Sequence, residues 1–285
     1  MKNRKTLVTA ILIFLIVLSL IGAILVGGRV HTESIGEAIH DAVLHEENKI
    51  SLFGVLEVNP SLISAFSVTG ILLIFAAAVR IFVIPRFKRI PGKFQMLLEK
   101  LVSFFDDLAK TNSPHRNSFL GVYIFAAGIY IFVSTVFELF GAQAITTLGT
   151  PIALPAPLSD INAAIAMGCQ SYLVILTGGI ASNKLKGVGL TLKEFSLPIS
   201  MSFRLFGALL SGLLVTELVY YTIYLSFILP VVVAVLFTLI HAIIQTYVLT
   251  LLTSIFYGEV SHPHEKKPKK AKKPKKSRSN APAAV

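Results

Sequence analysis

Residues 198–212 read PISMSFRLFGALLSG, and one arginine, Arg204, stands in the middle of this apolar stretch. The nearest charge before it is Glu194 and the next after it is Glu217. A guanidinium does not shed its proton, since its pKa lies above ~12. Placing one at the centre of a membrane span costs roughly 2.5–3.5 kcal/mol on insertion scales. A sequence with no use for that charge avoids it, so the default reading is a functional site. The plainer alternative is a snorkelling arginine near a helix end, but Arg204 lies several residues in from Pro198. Gly207 and Ser211 follow on the turns above it, with Ala208 and Gly212 alongside. Small residues of this kind let a second helix approach closely in lipid.

A polar stripe runs through the last apolar segment. Thr238, His241 and Gln245 recur at i, i+3 and i+7, one face of a helix. Each is costly in hydrocarbon unless hydrogen-bonded or wet. The stripe either glues helices together or lines a water path beside the arginine. Further ionisable and polar groups sit near the opposite helix ends: Glu138 in VFELFG, Asp160 and Asn162 in LSDINAA, and Glu217 in LLVTELVYY. Three carboxylates and a histidine on one half of a membrane protein suit a hydrated route for protons or cations. The plainer reading of Asp160 is a helix N-cap, which SDIN fits. Glu138 and Glu217 have a plain reading too, at headgroup depth.

Other chemistry is thinly represented. His262 and His264 in SHPHE lack a matching ligand set and read as solvated tail residues. Cys169 stands alone in an apolar run and reads as a small buried side chain. No GxGxxG, P-loop, HExxH, GxSxG or CxxC spacing appears, so no cofactor, metal or enzymatic nucleophile is expected.

The elements that must hold these residues are membrane helices. The 285 residues are 54% hydrophobic and 14% charged, with a mean hydropathy of +0.75. Soluble domains run nearer a quarter charged. The apolar residues gather in runs of about 20, the length that crosses a ~30 Å hydrocarbon core. Residues 6–27 form the first run, read as either a signal peptide or a retained first helix. Residues 28–60 are polar and mildly acidic and read as an outer segment, where Ile35, Ala38, Ile39, Ala42 and Val43 recur at helical spacing, so part of it is expected to form a short amphipathic helix. Further runs fall at 61–84, 118–140 and 161–180. Two long segments follow at 195–224 and 227–257, split near Pro230. Between the second and third runs, residues 92–111 are amphipathic and are expected along or partway into the membrane surface. The expected fold is an all-α membrane protein with about five core helices in residues 61–258. The N-terminal run and a basic tail at 259–285 flank that core.

The net charge of +11 belongs mostly to that tail, where residues 266–278 read KKPKKAKKPKKSR. No aromatic or polar readers accompany it, which argues against nucleic-acid binding. Basic clusters after the runs at 61–84 and 161–180, and the tail itself, fall on one side under a single topology, the cytoplasmic side by the positive-inside rule. The tail is expected to meet anionic lipid headgroups.

PISMSFRLFG strongly resembles the arginine segment of the a subunit of rotary F-type ATP synthases. RIPGKFQMLLEKL at 89–101 looks like that family's VPGxLQNxxE segment, and PLSDINAAIAM at 157–167 looks like its PTxDxNxT segment. IIQTYVLTLLTSIFYGE at 243–259 looks like its final helix, with Gln245 matching the family's glutamine. The four segments keep the family's order across roughly residues 60–259. The resemblance implies a stator subunit in a bacterial-type inner membrane, facing a c-subunit ring and held by the b-subunit peripheral stalk. Arg204 would separate two offset proton half-channels, and the last two helices would lie steeply tilted along the ring. The chain departs from the pattern in three places. The family's Asn four residues after the arginine is Ala208, its Glu or His nine residues after is Leu213, and its partner seven residues before the glutamine is Thr238. The expectation is that Glu217, His241 and Glu138 take over the outer route. A ring-independent channel or secondary transporter is the rival reading.

Overall fold

The computed structural model describes residues 49–263 except 53–55, 146, 148, 150 and 222–228, together with residues 13, 14 and 17. Side chains at 52, 56, 213, 216–221 and 229–234 also fall outside it. The N-terminal run, the amphipathic part of 28–60 and the lysine tail therefore lie outside the described residues. A short hairpin of β1 (Ile50–Leu52) and β2 (Leu56–Val58) leads into helix α1 (Pro60–Ala78). Asn59 caps α1, its side chain accepting from the Ser61 N–H at 3.0 Å, and Pro60 fills the first helical position, where no N–H is needed. The helix then widens into a π-type turn at Val79–Val83 and tightens into a 3-10 turn at Ile84–Arg86, which Pro85 helps to end.

Helix α2 (Lys93–Asn112) is the amphipathic segment. It buries Phe105 and Ala109 against α3 (Ser118–Phe137), which continues through a 3-10 turn at Glu138–Phe140. Gly141 closes that turn with φ 57°, a left-handed conformation open to glycine. The Pro- and Gly-rich stretch that follows holds a second hairpin, β3 (Gln143–Ile145) with β4 (Pro151–Ala153). The Thr147 N–H donates to the Lys49 carbonyl at 3.0 Å and links the two hairpin regions. Helix α4 (Ile161–Asn183) follows. A short helix the sequence did not announce, α5 (Leu185–Lys193), precedes α6 (Ser196–Tyr221), and α5 meets the Ser196–Gly212 part of α6 at a 48° bend. Last comes α7 (Leu229–Ser261), 33 residues long.

Among the described residues, four helices are long and apolar enough to cross a membrane, or up to five if the bent α5–α6 pair is one span. With the runs at 61–84, 118–140 and 161–180 found as helices, the chain is an all-α membrane protein, with two minor hairpins among the described residues. Its core follows α3 from end to end. Leu120 and Ile124 join Phe105, Ile175, Met201 and Tyr257 in one cluster; Ala127 and Ile131 join Met167, Leu205 and Leu249 in the next; Phe137 joins Ile50, Val68 and Leu154 in the last. Polar groups stitch the bundle: Tyr123 with Ser171 at 2.8 Å, and Ser254 donating to the Leu108 carbonyl at 3.1 Å.

Two glycines set how closely the backbones meet. A Cβ on Gly168 of α4 would run into Ser202 and lie 2.8 Å from the Pro198 carbonyl of α6, and one on Gly258 of α7 would run into the Asn112 carbonyl of α2. The end of α7 is clamped as well. Asn183 donates to the carbonyls of Val260 at 3.0 Å and His262 at 2.8 Å, and the His115 ring donates to that of Ser261 at 2.8 Å.

Candidate functional site

The packing of α4 against α6 decides which way Arg204 faces. Pro198, Met201, Ser202, Leu205 and Leu209 are buried, with Leu205 1% exposed, and they fix the inner face of α6 over Gly168 and Ala164. The helical period then turns Phe203, Arg204, Gly207 and Ser211 outward, and all four are exposed. No carboxylate pairs with Arg204 among the described residues. Beside it on α6, Phe203 and Ile199 are also exposed. The small residues expected around the arginine divide: Gly207 would accept a Cβ with nothing within 4 Å, while Gly212 faces the Phe237 ring of α7.

Gln245 reaches the same level from α7 and is 6% exposed. Its Nε2 donates to the backbone carbonyl of Arg204 at 3.4 Å. Its Oε1 is buried and has no hydrogen-bond partner. Thr246, next to it, donates to the Gly128 carbonyl of α3 at 3.4 Å, so this part of α7 is tied to both neighbours. The polar stripe therefore splits. Gln245 sits in the α6–α7 seam, and the other two members line a recess further along.

That recess is bounded by Glu138, Ala208, Leu209, Gly212, Phe237, Thr238 and His241. It brings Glu138 from the end of α3 and His241 from α7 around one space, with Ala208 and Thr238, two of the positions where the chain departs from the family pattern. The His241 ring donates from Nδ1 to the Phe237 carbonyl at 3.2 Å and lies 4.4 Å from the Phe237 ring, which holds it toward the recess wall. Glu217 lies on α6, about 20 Å along the helix axis from Arg204 at 1.5 Å per residue. Its side chain falls outside the described residues.

Asp160 and Asn162 lie at the start of α4 and do not line the recess. Asp160 is the N-cap, its Oδ1 accepting from the N–H groups of Asn162 and Ala163 at 2.7 and 3.3 Å. Its Oδ2 accepts from the Asn59 amide at 2.6 Å. The Asn162 side chain is exposed. Asn59 is the polar residue that sequence reasoning passed over, although an Asn-Pro pair opening an apolar run is a helix-start signal. Cys169 corrects the expectation of a buried thiol: it is exposed, because Gly168 and Met167 take the inward face of that turn.

The protein-family model described as ATP synthase A chain matches residues 62–258. Proteins named ATP synthase subunit a are similar to the chain: 30% identical over 158 residues in Histophilus somni (strain 129Pt), 26% over 153 in Aeromonas salmonicida and 25% over 153 in Shewanella amazonensis. Each alignment covers 44% of this chain and 57 or 58% of the relative, so the chain spans a little over half the length of these relatives. With the family model covering most of the sequence, including Arg204, Gln245 and every helix from α2 to α6 complete, the chain belongs to the ATP synthase A chain family.

Proposed function

We propose that the chain is the ion-translocating stator subunit of an F-type ATP synthase, working against a c-subunit ring and held by the b-subunit peripheral stalk. The observation that carries this reading is the outward placement of Arg204 on an apolar face, at the level of buried Gln245 and without a carboxylate partner among the described residues. A fixed charge at membrane depth calls for a countercharge, and here it comes from outside the chain, as a ring carboxylate passing the α6 face. The arginine favours the ionised form of that carboxylate. At 4 Å and an effective dielectric of 20 the attraction is about 4 kcal/mol, enough to select the ionised form yet weak enough to break at each step. A proton cannot remain on the carboxylate as it passes, so the two half-channels stay separate.

The outer half-channel runs through the recess between Glu138 and His241, with Glu217 further along α6 and Asp160 and Asn162 at its mouth. The departures at Ala208, Leu213 and Thr238 are offset by this set. The basic groups at the ends of α1, α4 and α7 favour a bacterial inner-membrane orientation with the C-terminus in the cytoplasm. ATP chemistry belongs to soluble partner subunits.

The test is ATP-driven acidification of inverted membrane vesicles, wild type against Arg204→Ala, after both are shown to assemble with a c ring. Pumping by wild type and none by the variant is the expected result. A variant that pumps as well as wild type makes Arg204 structural and ends this reading.

A further inference from the structure

We infer that residues 80–97, where α1 ends and α2 begins, form a docking surface for the headgroups of anionic phospholipids. Arg80, Arg86, Lys88, Arg89 and Lys93 are all exposed there. No Asp or Glu occurs between Glu57 and Glu99, and among the described residues the one lysine–carboxylate pair is Lys110 with Asp106, outside the segment. The five cations thus have no protein countercharge among the described residues.

The local structure presents them as a group. The helix runs on from α1 through the widened turn at Val79–Val83 and the tight turn at Ile84–Arg86, and the Arg86 guanidinium folds back to donate to the Phe82 carbonyl. Gln95 then pins the following turn. Its Oε1 accepts from the Lys88 N–H at 3.0 Å and its Nε2 donates to the Lys88 carbonyl at 3.0 Å. The same Nε2 holds Glu99 at 2.7 Å, so the nearest acid is kept beside Gln95. The turn that carries Lys88 and Arg89 is therefore fixed to the start of α2, beside Lys93.

Large apolar side chains alternate with the cations. Ile81, Phe82 and Phe94 are exposed, and Ile90 is 87% exposed. Cations and aliphatic groups interleaved at the end of a membrane span match one molecule that carries both chemistries, a phosphate diester joined to acyl chains. Basic clusters beside a span attract anionic headgroups, and amphipathic helices bury their apolar face at the same depth. An acidic protein segment would satisfy the cations but would not supply the continuous acyl surface that the neighbouring exposed face of α1, with Leu73, Ile74 and Phe75, also requires.

The experiment reconstitutes the whole complex into phosphatidylcholine vesicles doped with a photoactivatable phosphatidylglycerol, or with the matching photoactivatable phosphatidylcholine. Adducts are mapped by peptide mass spectrometry, with the lysine tail as an internal reference. Residues 80–97 should take up the anionic lipid at least about fivefold over the zwitterionic one. R86Q/K88Q/R89Q/K93Q should bring that ratio to near one while leaving tail labelling unchanged. If the quadruple variant fails to assemble, raising the salt on wild type should compress the ratio in the same way. Equal labelling by the two lipids, a ratio that survives both treatments, or cross-links from this segment to another subunit in place of lipid adducts overturns the inference.

Discussion

The side-chain amide of Asn59 donates to Oδ2 of Asp160 across 2.6 Å, while the remaining oxygen of each side chain caps a different helix. Helices α1 and α4 therefore start from one shared knot. Asn59→Ala removes a cap and a bridge together and should destabilise the chain by about 1–2 kcal/mol, read as a lower unfolding midpoint in detergent. Asp160→Asn keeps the cap but sets an amide donor against the Asn59 amide, so the bridge is lost and the midpoint should fall by the equivalent of about 1 kcal/mol. It removes a charge from the mouth of the proposed outer route, so pumping should fall by about twofold. Full pumping would leave Asp160 a cap and nothing more.

Gln245 offers a cleaner separation of structure from function. Its buried, unpartnered Oε1 carries a desolvation cost of about 1–3 kcal/mol, and its bond to the Arg204 carbonyl, at 3.4 Å, is long. Gln245→Leu should leave stability unchanged or slightly raised, while vesicle acidification drops. A fall in both by the same proportion would show that the glutamine is structural.

The recess makes the rerouting idea concrete. Glu138→Ala, Glu217→Ala and His241→Ala should each slow proton uptake at least about tenfold, as expected when a group that relays protons is lost. The Glu138→Ala/His241→Ala pair should be little worse than the poorer single variant, because residues lining one space act as a unit. Normal pumping by all three single variants would end the proposal that this set replaces the usual pair.

Three glycine substitutions should behave differently. Gly258→Ala pushes a methyl into the Asn112 carbonyl and should destabilise by about 1–3 kcal/mol. Gly189→Ala, on α5 with open space around it, should be neutral or stabilising by up to about 1 kcal/mol. Gly207→Ala has the same open surroundings within the chain and should be equally well folded. It lies on the outward Arg204 face, however, so pumping should fall if a partner helix packs there. Thermal unfolding and vesicle acidification on the same three variants distinguish the outcomes.

The long elements were legible because their signals are strong. Runs of about 20 apolar residues at 61–84, 118–140 and 161–180 are α1, α3 and α4, and the period-3.6 pattern of 92–111 is α2. Asp160 as a cap was readable from SDIN. The side on which Arg204 emerges was not, because α6 is apolar all round and only Gly168 of α4, distant in sequence, tells which face turns inward. The recess was half legible. His241 and Thr238 share a helical face, but that Glu138 joins them depends on how α3 ends. Helix α5 carries two glycines, and each lowers its helix signal; its place depends on contact with α4.

The glycine contacts also bear on mechanics. Where Gly258 lies on Asn112, backbone meets backbone, and where Gly168 lies on α6 only the short Ser202 hydroxyl and the Pro198 carbonyl face it, so no long side chain acts as a cushion. A sideways load on α6 at Arg204 passes straight into α4, and one on α7 passes into α2. The frame behaves as a stiff bracket with little slack, suited to resist torque on one face while its buried side keeps its shape.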